Sequence, residues 1–136
     1  MSNYDFHALL EPLEFEKLVC DIISQRDGIS LRMYKEGRDE GVDGSYTDDN
    51  VKIIVQAKRF QPNFKALYRS LKLELPKVRK LQPDRYILGI SLALSKSQVN
   101  DIIDLFKEFN VNEHDILDRV EMNRLLGQPA YKQTIK

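Results

Sequence analysis

The sequence predicts an α/β fold, which could equally be described as α+β, with helices flanking a mixed central sheet. Three patterns in the 136 residues lead to this prediction. Residues 12–25 carry apolar side chains at helical spacing, residues 51–59 alternate as a strand does, and residues 86–94 are almost continuously apolar. A continuous apolar run is typical of a strand covered on both faces. We expect a chain of this length, residues 1–136, to form a single domain.

The first third of the chain is predicted to be one helix followed by two strands. The helix over 12–25 begins at Pro12, a residue type favoured at the first helical position. Strands are predicted over 29–34 and 42–46, separated by a segment rich in glycine. The polar residues 47–50 predict a turn into the third strand.

The third strand, 51–59, carries the most informative pattern. One face of the strand is wholly apolar and consists of Val51, Ile53, Val55 and Ala57. The other face is mixed and consists of Lys52, Ile54, Gln56 and Lys58. A turn loop formed by Asp48-Asp49, or by the four residues 47–50, would pair Tyr46 with Val51 and set Asp43 opposite Ile54. Asp43, Gln56 and Lys58 would then share one face, because strand side chains alternate. A three-residue loop or a bulge would break this parity.

The next predicted helix begins at Asn63 and carries an apolar stripe. Pro76 should end or kink this helix near Leu75, because proline lacks an amide hydrogen and clashes with the preceding turn. The stripe consists of Phe64, Leu67, Tyr68, Leu71, Leu75 and Val78. We interpret it as core rather than as a platform for stacking bases.

The last third is predicted to be helix, short strand and helix after the apolar strand. Ser95 with Gln98 three residues later is a capping-box pattern that opens a helix. A short strand is expected around Ile116, and a final helix should end before Gly127. The complete predicted order is αβββαβαβα.

Composition excludes several classes of protein. One cysteine, Cys20, rules out an intramolecular disulfide framework, and we interpret it as a small buried residue. No apolar run reaches membrane-spanning length, and the first residues lack the apolar core of a signal peptide. We therefore expect a soluble, cytoplasmic domain without a membrane partner.

The charge is zero in total but unevenly distributed. The 21 basic and 21 acidic residues cancel, which by itself argues against a nucleic-acid partner. Residues 1–50, however, hold 12 acidic and 5 basic side chains, whereas residues 51–80 hold 1 acidic and 9 basic ones. A local basic stripe is enough to contact phosphates. The acidic part can supply the carboxylates that a Mg²⁺ site needs.

Asp43, Gln56 and Lys58 together suit phosphodiester hydrolysis. Carboxylate and amide oxygens are hard ligands suited to Mg²⁺. A neighbouring lysine can orient or help deprotonate a water molecule and offset charge that develops on a phosphoryl group.

Three segments resemble the Mrr-like restriction endonuclease branch of the PD-(D/E)XK nuclease superfamily. They are Phe-Glu-Lys-Leu-Val at 15–19, Gly-Arg-Asp-Glu-Gly-Val-Asp-Gly at 37–44 and Val-Gln-Ala-Lys at 55–58. The resemblance implies a restriction-endonuclease-like αβββαβ core and a DNA endonuclease dependent on Mg²⁺, or alternatively Mn²⁺.

The resemblance also implies roles for individual residues. Asp43 would be the central metal ligand, and Lys58 the catalytic lysine. Gln56 stands at the position of an acidic ligand, so one negative charge is missing and we expect weaker intrinsic metal affinity. Glu16 would be the helix carboxylate that supports the metal, although periodicity alone does not choose between it and Glu14. We further expect the backbone carbonyl of Ala57 to complete the ligand set.

The predicted partner is DNA, most simply double-stranded. The DNA backbone would be bound by four basic residues that follow the proposed catalytic strand, Arg59, Lys65, Arg69 and Lys72. Double-strand cleavage needs two active sites, which implies a homodimer or a higher oligomer. Parts of the chain also resemble nuclease domains fused to STAND-type NTPases of antiphage defence, so an NTPase outside these residues is a further expectation.

The same residues also fit other interpretations. Asp43-Gly44 is also a common turn dipeptide, and the basic segment could be a solvated helix face. A catalytically silent module that binds nucleic acid or docks an effector is one alternative function. A structure-specific nuclease that acts on DNA junctions or RNA is another.

Overall fold

The computed structural model describes residues 4–5, 12–33, 44–48, 51–59 and 63–128. Within them the predicted order of elements is present, so the α/β class is confirmed. The helices and strands are α1 Pro12–Asp27, β1 Arg32–Met33, β2 Gly44–Asp48, β3 Val51–Lys58, α2 Phe64–Leu81, β4 Arg85–Ile90, α3 Lys96–Leu105, β5 Ile116–Leu117 and α4 Arg119–Leu126. Two 3₁₀ turns, Lys107–Phe109 and Glu113–Asp115, lie between α3 and β5.

The five strands form one mixed sheet in the order β1-β2-β3-β4-β5. The first three strands pair antiparallel, and β4 and β5 extend the sheet in parallel with β3. Helices α1 and α4 cover the face that carries Ile53 and Val55. Helices α2 and α3 cover the opposite face, which carries Ile54 and Leu88. Because β3 and β4 are covered on both faces, they are the buried centre of the fold.

The predicted register between β2 and β3 is wrong by two residues. Asp48, not Tyr46, pairs with Val51, and Ser45, not Asp43, lies opposite Ile54. The ladder therefore includes Thr47 and Asp48, which were predicted to belong to the turn. Two residues are enough to connect these antiparallel strands. Gln56 and Lys58 share the face of Ile54 in either register, because all three residues lie on β3.

The helix continues through Pro76, so the predicted end near Leu75 is wrong, and a kink there stays a prediction. Helix α2 runs through it to Leu81, and it ends only at Gln82, which has a left-handed backbone conformation. Pro76 itself is exposed. The carbonyl group that loses its hydrogen bond there can be solvated, while the buried residues Leu71 and Val78 hold both sides of the helix against the sheet.

Strand β4 ends earlier than the apolar run predicts. The residues after it form hydrogen bonds with groups outside the strand ladder. The amide of Leu94 donates to the Asp118 carboxylate at 2.8 Å, and Asp118 also caps α4. The capping box at Ser95 is confirmed. None of the helices in the described ranges has the length and hydropathy needed to span a membrane.

Gly89 is required by the close approach of α1 to β4. A Cβ atom at this position would lie 2.5 Å from both methyl groups of Val19, which is fully buried. We expect Gly89→Ala to lower the free energy of unfolding by about 1–3 kcal/mol, because overpacking a tight core forces its neighbours to move. Urea unfolding measures this loss, and Val19→Ala in the same chain should recover part of it. A Gly89→Ala protein as stable as the wild type would contradict this packing.

Candidate active site

Gln56 and Lys58 occupy the carboxyl end of β3, on the face that packs against α2. Gln56 is buried, and Lys58 is half-buried as the last residue of the strand. The parallel strand β4 continues beside them, with Leu88 and Ile90 as their ladder partners. Ends of parallel strands are a common place for functional side chains. The predicted juxtaposition of Gln56 and Lys58 on one face is therefore present.

Lys58 forms a buried ion pair with Glu74 of α2. The ammonium donates a hydrogen bond to Glu74 Oε2 at 2.7 Å. The side chains of Lys58 and Glu74 are only 14% and 11% exposed, so water screens the pair poorly. A charge-assisted bond of this length fixes the position of the lysine nitrogen.

The surroundings of Glu74 favour its charged form. Burial raises the pKa of this carboxyl group, but the hydrogen bond and charge of Lys58 outweigh that effect, and the pKa lies below its ordinary value. The side chains of Gln56 and Lys77 lower the pKa further. Among the described residues, none donates a hydrogen bond of ordinary length and angle to Glu74 Oε1, and Lys77 Nζ lies 3.8 Å away. Glu74 is therefore a buried anion held by nearby cations.

Tyr86 orients the amide of Gln56 from the core. Its hydroxyl donates a hydrogen bond to Gln56 Oε1. Tyr86 is fully buried, and its ring packs on Phe106 and Phe109 with centroid distances of 5.1 and 6.5 Å. The carbonyl end of the amide thus faces Tyr86. The position of Gln56 depends on an aromatic cluster that the fold holds rigidly.

The sequence prediction missed Glu74, although two signals point to it. It is the one acidic residue among residues 51–80, which hold nine basic ones. It also lies on the buried face of α2, with Leu67, Leu71 and Val78. A carboxylate on an apolar stripe is rarely buried without a partner, so this spacing indicates a partner on the strand beneath.

Asp43, the central predicted ligand, lies outside the described residues. Its neighbour Gly44 is the first residue of β2 and pairs with both Met33 and Val55. Gly44 is therefore inside the sheet, whereas the connection from β2 to β3 comes after Asp48. A Cβ atom at Gly44 would lie 2.7 Å from Cys20 Sγ, so close packing with α1 explains this glycine better than a turn does. Cys20 is buried, as predicted.

Glu16 lies on α1, which covers the face of the sheet opposite Gln56 and Lys58. Its side chain is half-buried, and its role at a metal site stays a prediction. Within the described ranges, no group of three or more His, Cys, Asp and Glu side chains is placed so that it could hold a metal ion. The described donors, an amide oxygen and a carboxylate, are of the hard type that suits Mg²⁺, but a complete site needs Asp43 as well.

A row of exposed basic residues lies on α2, on the side of the helix away from Glu74. Lys65, Arg69 and Lys72 are exposed, and their spacing of four and three residues places them on one helix face. Lys72 Nζ also lies 5.3 Å from the ring centre of Tyr68. Arg59, which directly follows β3, is half-buried. The structure thus presents three of the four predicted DNA-binding side chains to solvent.

Comparison with known proteins gives two matches of different extent. A family model described as restriction endonuclease, Mrr_cat, matches residues 8–82, more than half of the chain. The uncharacterized protein y4cD of Sinorhizobium fredii (strain NBRC 101917 / NGR234) is 29% identical over 135 residues. That alignment covers 98% of this chain but 21% of the relative, so the chain spans about a fifth of it. No solved structure matches.

Proposed function

The chain belongs to the Mrr restriction endonuclease family, and from this premise we propose that it is a Mg²⁺-dependent nuclease that hydrolyses phosphodiester bonds of DNA. The observation that carries the proposal is Lys58, which stands at the end of the central strand with its ammonium fixed against Glu74 at 2.7 Å. A fixed cation at a strand end is suited to orient a water molecule and to offset charge on a phosphoryl group.

Each residue of the site has a distinct task in this proposal. Asp43 is the principal ligand of Mg²⁺, with the Gln56 side-chain oxygen and the Ala57 backbone carbonyl as further ligands, and Glu16 assists. The oxygen of Gln56 has a second lone pair besides the one that Tyr86 uses. Mg²⁺, or Mn²⁺ in its place, would lower the pKa of a water molecule and polarise the phosphate.

The ammonium of Lys58 has three hydrogen atoms to donate, and its hydrogen bond within the described residues is to Glu74. In the proposed mechanism the other two bind a water molecule and a phosphate oxygen. Lys65, Arg69 and Lys72 present positive charge on the outer face of α2, and Arg59 directly follows the catalytic strand. Double-stranded DNA would contact this row through its phosphates.

The wider setting is also part of the proposal. Cleavage of both strands requires two sites, which favours a homodimer or a higher oligomer. We place the chain in the cytoplasm, where foreign DNA is encountered, in a defence role. The chain covers 21% of its S. fredii relative, which leaves room in such proteins for another domain, and a STAND-type NTPase is our proposal for it.

Replacing Asp43 tests the metal site. We expect wild-type protein to nick supercoiled plasmid with Mg²⁺ and not with EDTA, and Asp43→Ala to reduce the rate at least about 100-fold. Asp43→Asn is the matched variant, because it keeps the shape of the side chain but removes the charge that holds the metal. Gel electrophoresis of the plasmid measures both rates. Full activity of both variants would contradict the assigned ligand.

The choice of substrate separates this function from its competitors. Parallel assays on linear duplex, a four-way junction and RNA distinguish an endonuclease on duplex DNA from a structure-specific enzyme. Salt-sensitive DNA binding by the wild type without any metal-dependent product would favour a silent binding module.

A further inference from the structure

We infer that Glu74 is a positioning residue of the active site, and that position 56 must be an amide because Glu74 occupies the neighbouring helix. The inference deepens the proposed nuclease function and rests on it. In this arrangement, the helix provides the negative charge and the strand provides the neutral group that faces it.

The first step is the burial of the carboxylate. Glu74 lies in the buried row of α2 between Leu71 and Val78, where an apolar side chain would pack without any desolvation cost. The carboxylate is nevertheless present, and Lys58 bonds it at 2.7 Å. A buried ion pair generally stabilises the fold no more than two apolar residues of similar volume would, so stability alone does not explain this pair. Fixing the lysine nitrogen is a task that apolar residues cannot perform.

The second step is the amide of Gln56 between Glu74 and Tyr86. The hydroxyl of Tyr86 donates to its oxygen, and the Gln56 side chain is also one of the groups that lower the pKa of Glu74. An amide accepts from Tyr86 with its oxygen and adds no charge beside Glu74. A glutamate at position 56 would place a second negative charge beside a buried carboxylate.

Two hydrogen-bonded pairs, Tyr86 with Gln56 and Glu74 with Lys58, thus hold the polar side chains at the end of β3. Tyr86 is fully buried, so it fixes the oxygen of Gln56 from the core. Glu74 is buried in α2 and fixes the nitrogen of Lys58. Misplacing a catalytic group by about 1 Å can reduce a rate about 100-fold, so the positioning has a measurable effect.

The test compares Glu74→Gln, Gln56→Glu and the double variant that combines them. We expect each single variant to lower kcat about 10- to 100-fold with KM for DNA changed less than about threefold. The double variant should recover most of the loss, because one carboxylate and one amide are again present. Glu108→Gln is the matched control, since Glu108 forms an exposed ion pair with Arg79 at 2.9 Å and should leave kcat unchanged.

A second measurement tests whether Glu74 holds Lys58, and it does not depend on nuclease activity. Acylation of lysines by an amine-reactive reagent, followed by mass spectrometry, should modify Lys58 at least about tenfold more slowly than exposed Lys65 in the wild type. Glu74→Gln should raise the rate at Lys58 and leave Lys65 unchanged.

The outcomes distinguish the inference from the proposed function. Unchanged kcat in Glu74→Gln, a Gln56→Glu protein more active than wild type, or no recovery in the double variant would overturn the inference while the nuclease function stands. Absence of any metal-dependent product with Lys58 still protected by Glu74 would overturn the nuclease function and leave the pairing intact.

Discussion

Lys58→Ala is expected to reduce Mg²⁺-dependent plasmid nicking at least about 100-fold, because it removes the cation that offsets charge on the phosphoryl group. The same change leaves the Glu74 carboxylate buried without its main partner. Breaking a buried pair from one side costs about 3–5 kcal/mol of unfolding free energy, so this variant should also unfold at a lower urea concentration. Loss of activity and loss of stability therefore have to be separated.

The double variant Lys58→Ala with Glu74→Gln makes that separation. It removes both charges of the pair, so no buried carboxylate lacks a partner, and we expect it to recover most of the stability that Lys58→Ala loses. Its nicking rate should stay as low as that of Lys58→Ala. If nicking returned together with stability, Lys58 would have a structural role and no part in the chemistry.

The second large effect is expected on DNA binding. Replacing Lys65, Arg69 and Lys72 together by alanine should lower affinity for duplex DNA about 100-fold near 0.1 M salt, because each lost phosphate contact releases one counterion fewer. The slope of log affinity against log salt concentration should decrease in magnitude by about 3. Fluorescence anisotropy over a salt series with EDTA present measures both quantities without cleavage.

A matched variant controls for the change in net charge. Lys80, Lys96 and Lys107 are also exposed, but they lie at the end of α2, at the start of α3 and in the following 3₁₀ turn. Alanine at these three positions removes the same charge and should leave the affinity within about threefold of the wild type. Equal losses in the two triple variants would mean that net charge, rather than the row on α2, governs binding.

Most of the fold could be predicted from the sequence, because periodicity reports burial directly. The helical stripe over 12–25 and the continuous apolar run before Ser95 became α1 and β4, and the capping box at Ser95 is present. Alternation along 51–59 placed Gln56 and Lys58 on one face. These features depend on the period of each element, which is local information.

The errors concern features that depend on distant parts of the chain. The register of β2 on β3 is set by a two-residue connection and by packing of Gly44 against Cys20, which the periodicity of a single strand does not reveal. Helix α2 continues past Pro76 because packing on the sheet outweighs one lost hydrogen bond. Local rules correctly identify proline as a residue that disfavours a helix. They do not reveal the tertiary contacts that keep the helix intact despite the proline.

The site was predictable in part for the same reason. Strand alternation relates Gln56 to Lys58, whereas Glu74 is sixteen residues from Lys58 and meets it only when α2 packs on β3. Composition provided the missing signal, because a lone acidic residue in a basic segment and on a buried stripe needs a cationic partner.

The most direct test of the central claim is one plasmid digestion with Mg²⁺ that compares the wild type with Asp43→Ala and with Lys58→Ala carrying Glu74→Gln. We predict nicked plasmid with the wild type only, and none with EDTA. Mg²⁺-dependent nicking that persists at the wild-type rate in both variants would contradict the assignment of this site.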